Sequence, residues 1–484
     1  MHSAKLQTDA GLTTWARLVT FGTWLYVLGC FAILCVALPW SAGLSARLVL
    51  VVGTALLLLA IGVGRLAPLE LPAPSRVTLS LVLVVALGLV LRIGWVALVA
   101  PVQMSDMSDY VVSARDLLAG HGYLTRLWQH KLLAFRPPGE SFLLAGAMWL
   151  IGDHDWTAAI INLICYVGAA LVLHDLGTRL AGAGPALLAS ALFAIWPSHI
   201  MGGGLANSEM PTLLLWLTIL WAIVRGESGE WRWIVIAGLS IGAGILIRPA
   251  LLLVPLMLAA LALSRRTPRG PIITRAVLTC ILAALVVAPW TARNYAVLNT
   301  FVVVSTNGGD NLYRANNPKA TGGFTQLGEQ SFNDLLPDEI AWNRASAQAA
   351  HEWILGHPLA FLRLSFRKLG VMLGSDDTGA YWALQRAHNL AGPAYEAARW
   401  VSNVWWFVVW TLAALAMIRR RQFLTSTATG QSLLWSIFYF IFLHSVFESQ
   451  PRYHMPSVGP LLILAALAFA SRLGLASVDT SPRR

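Results

Sequence analysis

LVLVVALGLVL (residues 81–91), at the centre of an apolar stretch running from about 77 to 100, decides the class of fold. At 1.5 Å per residue the stretch reaches across the roughly 30 Å hydrocarbon core of a bilayer. Runs such as ILAALVVAP (281–289) and LLILAALAFA (461–470) repeat the pattern. Of 484 residues, 57% are hydrophobic and 12% charged, against about 25% charged in a soluble domain. One buried core does not account for so many separate runs. The sequence predicts an all-α polytopic membrane protein.

Twelve spans are expected, at about 17–39, 47–64, 77–100, 157–178, 185–203, 209–225, 231–247, 249–263, 272–290, 399–418, 431–447 and 456–472. They divide the chain into a two-span hairpin (1–76), a core (77–290) with a first outer loop (101–156), a second outer loop (291–398), and a C-terminal part (399–484). The net charge of +11 suggests nucleic acid only if the basic residues form one patch. They lie instead in short clusters between apolar runs: Arg65 with Arg76, Arg265 with Arg266, and Arg419 to Arg421. With a cytoplasmic N-terminus, every short basic cluster falls inside and both long loops fall outside. The C-terminus is then cytoplasmic too. PPGESFLLAGAMWLI (137–151) is too short for a comfortable span, and a crossing there would invert every later cluster. It is expected to be interfacial or re-entrant. The first apolar run lacks a small-residue cleavage site and reads as a span rather than a cleaved signal. Cys30, Cys35, Cys165 and Cys280 lie in expected spans without metal-like spacing.

The outer loops carry two helical patterns. Residues 107–119 place Val111, Ala114, Leu117 and Leu118 at helical spacing, with Asp106 as N-cap and Gly120 as terminator. PLAFLRLSFRKLGVML (358–373) puts Leu359, Leu362, Phe366 and Leu369 on one stripe among Arg363, Arg367 and Lys368. That suits a helix lying on anionic head groups, or one packed on the bundle.

Ionisable residues gather at outer span ends. Asp106 and Asp109 are three apart and share a helical face. Paired carboxylates can hold a divalent metal, or one can act as general base while the other tunes it. A charged first helical turn favoured by the macrodipole is the plainer explanation. Arg136 precedes Pro137, Glu209 opens a span, Arg248 ends one, Arg293 follows another, and Glu448 and Arg452 bracket the last turn, with Tyr453 beside them. A single arginine at a span end more often snorkels. Convergence on one side favours function, because guanidinium forks bind phosphate and a carboxylate can accept a hydroxyl proton.

Asp106 with Tyr110, ARDLLAGHGY (114–123), RPPGESFLLA (136–145), NSEMPTLLLWL (207–217), LIRPALLL (246–253), RNYAVLNTFVVVSTNGGDNLYRANNP (293–318), AHEWILGHPLAFLRL (350–364) and ESQPRYHMPSVGPLLIL (448–464) follow in order. The set resembles the C-type superfamily of membrane glycosyltransferases, which includes protein O-mannosyltransferases and the lipid A aminoarabinose transferase. The resemblance implies a polyprenyl-phosphate-linked sugar as donor, an acceptor hydroxyl on the outer side and inversion at the anomeric carbon. It makes Asp106 the catalytic aspartate, with Tyr110 in the same motif and Arg136 near the donor phosphate. Arg248, Arg293 and Arg452 match more loosely, as phosphate-binding candidates. Many members have Asp followed by Glu. Here Met107 follows Asp106 and Asp109 is the nearest second carboxylate, which leaves the base and any divalent metal open. A lipid-sugar transporter or flippase is the alternative, although the charges sit at span ends rather than at the midplane. The sugar and the acceptor are not legible.

Overall fold

The computed structural model describes residues 12–41, 51–55, 71, 75–127, 130–226, 229–265, 269–327, 332–390 and 392–470. In chain order the main elements are α1 (Thr14–Ser41), α2 (Val77–Leu98), α3 (Asp106–Leu118), β1 (Thr125–Leu127), β2 (His130–Leu132), α4 (Gly139–Ile151), α5 (Thr157–Ala181) and α6 (Ala183–Ala194). They continue with α7 (Glu209–Arg225), α8 (Trp231–Ile247), α9 (Val254–Leu263), α10 (Arg269–Leu298), α11 (Gly308–Ala315), α12 (Glu339–Gly356), α13 (Pro358–Leu373), α14 (Pro393–Arg419), α15 (Ala428–Val446) and α16 (Val458–Ala466). β1 and β2 form an antiparallel pair with Arg126 opposite Lys131. Most expected spans on described residues fall on helix, but 185–203 does not run through: α6 ends at Ala194 and a separate short helix, Pro197–Met201, follows, while 249–263 opens as the 3-10 turn Pro249–Leu253. The expected span at 47–64 lies largely outside the described residues.

Five of the described helices are long and apolar enough to cross a membrane, namely α1, α2, α5, α10 and α14. α10 keeps Val277, Ile281 and Leu285 exposed, which suits a helix facing lipid acyl chains. The chain is a helical membrane protein. α4 is 13 residues long, or about 20 Å at 1.5 Å per residue.

Two local expectations need correcting. Asp106 is the first helical residue of α3, and Ser105 takes the N-cap position with φ 56° and no side-chain cap bond. This frees both carboxylates of the first turn to face other elements. Gly120, at φ +79°, ends the helix as read, since glycine enters the left-handed region at no Cβ cost. In α13, Leu359, Leu362 and Phe366 are exposed, while Leu364, Lys368 and Leu369 are buried. Leu369 therefore belongs to the packed face, and the helix has two apolar sides.

Lys368 on that packed face donates to Asn316 Oδ1 at 2.8 Å and to the Val446 carbonyl at 2.6 Å. Burial pushes its ammonium down to about 7. An unfolded lysine titrates near 10.4, so between these values the unfolded chain binds a proton that the fold does not. Stability then rises with pH across that window. The melting temperature in detergent is expected to climb from pH 7 to 9, and Lys368→Met to flatten the climb. An equal slope in the variant rejects this.

Candidate active site at one end of the bundle

α7 runs from Glu209 to Arg225, about 25 Å at 1.5 Å per residue. At its Arg225 end, Asp175 accepts from Arg179, Arg225 and Trp221. At its Glu209 end the expected site residues converge. Glu209 is 3% exposed, and its Oε1 lies 3.3 Å from Arg248 Nη1 and 3.7 Å from Arg452 Nε. Arg452 also gives Nη2 to Asp106 Oδ2 at 2.8 Å. It rides on the 3-10 turn Pro451–Ser457, far from Asp106 in sequence. Arg136 places Nη2 and Nε on Asp109 Oδ2, at 2.9 and 3.2 Å. The guanidinium of Arg248 lies 4.9 Å from the Tyr453 ring centroid. Tyr453 donates its hydroxyl to Glu448 at 3.4 Å, and Gln450 donates to the same oxygen.

One turn of α3 thus offers two carboxylates in different electrostatic settings. Burial would push the Asp106 carboxyl up, but Arg452 and Arg136 outweigh it and hold Asp106 well below the usual range. Asp109 goes the other way: burial raises it, and Arg136 only partly offsets that. Burial likewise raises Glu448. Tyr110, on the same helix, is buried.

Arg293 stands apart. Its guanidinium donates to the carbonyls of Leu133 (2.6 Å) and Tyr123 (2.8 Å), so it holds main chain of the first outer loop. The structure also places residues that sequence reasoning missed. α11, within the turn-rich stretch 305–323, pairs Asp310 with Arg314 at 2.7 Å. Glu140 is buried with Oε2 unpartnered. Asp376 and His454 meet at 2.9 Å, each 1% exposed, and Trp196 donates to the other Asp376 oxygen. His454 is two residues from Arg452, so this pair fixes the turn that carries the arginine. Leaving a buried carboxyl group without its hydrogen-bond partner costs about 1–3 kcal/mol, and more when the group is charged. His454→Leu is expected to lower stability by about 3 kcal/mol, read by thermal or denaturant unfolding in detergent. A change below 1 kcal/mol contradicts the assignment.

No group of three or more potential metal-ligating side chains occurs among the described residues. Asp106 and Asp109, the metal candidates, each already face a guanidinium. That donor set does not fit a dication, and no step below runs through one.

An apolar groove of about 620 Å³ lies between α8, α9 and α10, lined by Ile245, Leu252, Ala284, Val287, Tyr295 and Phe301, with none of the charged site residues in its lining. Leu252 is four residues past Arg248. A smaller cavity is lined by Met107, Asn207, Glu209, Thr378 and Arg452.

Residues 135–291 match the family model described as dolichyl-phosphate-mannose-protein mannosyltransferase. The chain therefore carries a domain of the C-type superfamily of membrane glycosyltransferases, and Arg136, Glu209 and Arg248 lie within it. No curated protein matches the chain. Among solved structures, it is similar to the Archaeoglobus fulgidus oligosaccharyltransferase tethered with an acceptor peptide (16% identity, TM-score 0.50, covering 80% of this chain and 48% of that one). It is also similar to oligosaccharyltransferase AglB from the same organism in complex with an inhibitory peptide and a dolichol-phosphate (14%, TM-score 0.48, 81% and 50%). A third is ArnT from Cupriavidus metallidurans bound to undecaprenyl phosphate (16%, TM-score 0.40, 80% and 77%). The chain spans about half the length of the oligosaccharyltransferases.

Proposed function

We propose that this protein is an inverting glycosyltransferase that moves a sugar from a polyprenyl-phosphate donor to an acceptor hydroxyl on the outer face of the plasma (inner) membrane. The observation that carries this reading is the pairing of Asp106 with Arg452 and of Asp109 with Arg136, at the end of the bundle opposite the basic cluster of Arg179 and Arg225. The positive-inside rule makes that cluster cytoplasmic, along with both termini, in a twelve-span arrangement.

The donor has an anionic phosphate on a long apolar chain. The apolar groove lined by Leu252, four residues past Arg248 in the chain, suits the polyprenyl chain, and Arg136, Arg248 and Arg452 suit the phosphate. In the reaction the acceptor oxygen attacks the anomeric carbon from the face opposite the phosphate. The carbon–oxygen bond to phosphate breaks, its electron pair stays on the polyprenyl phosphate, and the hydroxyl proton passes to a carboxylate. The leaving phosphate gains negative charge, which arginines already in place stabilise in a water-poor site. Phosphate would also compete for the forks that Asp106 and Asp109 hold. A carboxylate released from its arginine becomes more basic, so donor binding would prepare the base. Tyr110, Glu209, Glu448 and Tyr453 are assigned to orienting the arginines and the substrate. Arg293 supports the loop that presents Arg136.

The test uses purified protein in proteoliposomes with an undecaprenyl-phosphate-linked labelled sugar and an outer-face glycolipid extract. Covalent transfer of label supports the reading. Movement of label across the bilayer without covalent product sinks it in favour of a lipid-sugar transporter.

A further inference from the structure

Glu339 has the look of an ordinary acidic residue in the first turn of a helix, where the macrodipole favours negative charge. That place is already served: the Asp338 side chain caps α12, accepting from the Ile340 and Ala341 amides. Glu339 instead turns inward and is 4% exposed. One oxygen accepts from the Leu133 amide at 2.7 Å, both lie 3.2–3.3 Å from the Ala134 amide, and the other accepts the Thr306 hydroxyl at 2.7 Å.

The carbonyls of the same strap are also held. Arg293 donates to Leu133 O at 2.6 Å, the Thr306 amide to Ala134 O at 2.9 Å, and the Tyr123 hydroxyl to Arg136 O at 2.9 Å. Residues 133–136 follow β2 and leave its ladder, so these side chains and the Thr306 amide replace the partners a neighbouring strand would give. Two residues beyond Ala134, about 7 Å along an extended chain, Arg136 sets its fork on Asp109.

We propose that Glu339 is a positioning residue for Arg136, through which the second outer loop fixes where the donor phosphate is received. The inference rests on the donor-phosphate role given to Arg136 above. An interaction that depends on fork geometry is sensitive to displacements near 1 Å, which can cost about 10²-fold.

The test measures affinity for undecaprenyl phosphate in detergent. Glu339→Ala is expected to weaken binding by roughly 10- to 100-fold. Glu339→Gln should recover most of it, because the amide oxygen accepts the same backbone N–H groups and the Thr306 hydroxyl can turn to accept. Arg136→Ala should weaken binding to a similar extent, and the double variant no further, as expected for residues acting as one unit. Asp338→Ala, which loosens the same helix without touching the strap, should leave binding unchanged. Equal weakening by Asp338→Ala, full additivity in the double variant, or unchanged binding in Glu339→Ala while Arg136→Ala weakens it, each overturns the proposal alone. Unchanged binding in Arg136→Ala removes the donor-phosphate reading and this inference together.

Discussion

Asp106→Asn lowers the rate of sugar transfer by about 10²–10⁴-fold, the usual contribution of a positioned proton acceptor, while donor affinity stays within a fewfold of wild type. Asparagine keeps the shape and an oxygen for Arg452, but it cannot take the hydroxyl proton. Single-turnover transfer in proteoliposomes reads this. A variant that stays folded and transfers at the wild-type rate removes Asp106 from the chemistry. The electrostatic setting has its own consequence for pH. The folded carboxyl is held below its ordinary value by Arg452 and Arg136 against the opposing effect of burial. Its pairing therefore stabilises the fold above about pH 4, the unperturbed carboxylate value, and the contribution is lost as pH falls below that. Without donor, the Asp106–Arg452 pair persists through mildly acidic conditions.

Arg452→Lys is expected to cost about 10²–10³ in turnover, comparable to removing one preorganised donor from a developing oxyanion. Arg452 reaches Asp106 with one nitrogen and approaches Glu209 with another. A lysine ammonium is a compact point charge and cannot span both carboxylates in that geometry. Arg452→Ala is less informative, because it leaves Asp106 and the buried Glu209 short of a cation, at a cost of about 3–5 kcal/mol in stability. Turnover of Arg452→Lys at the wild-type level under saturating donor excludes the leaving-phosphate role.

The bundle is readable in the sequence because each run must satisfy its own backbone inside an apolar medium, and helices do this locally. α7 and α8 begin and end on the residues read from charge and hydropathy, Glu209 to Arg225 and Trp231 to Ile247. The short α4 is recognisable from length alone. The end of the bundle where Asp106, Arg136, Glu209, Arg248, Glu448 and Arg452 gather is also legible, since charges avoid the apolar middle. The pairing among them is not. Nothing near Asp106 in the chain indicates that its arginine comes from the turn after α15, hundreds of residues later. Arg293 resembles the other arginines by position, yet its fork is occupied by two carbonyls. Glu339 and Asp376 resemble common loop acids, because their partners, the 133–134 amides and His454, come from distant segments. Asp106 misleads at the helix start because Ser105, in the left-handed region, moves the cap by one residue.

Mass spectrometry of envelope glycans tests whether the outer-end carboxylates and arginines transfer a lipid-linked sugar. Cells carrying the wild-type chain, Asp106→Asn at equal abundance, or no copy are compared. A sugar addition is expected with the wild type alone and is missing from the other two. The same addition at full level with Asp106→Asn, or in cells without the protein, contradicts it.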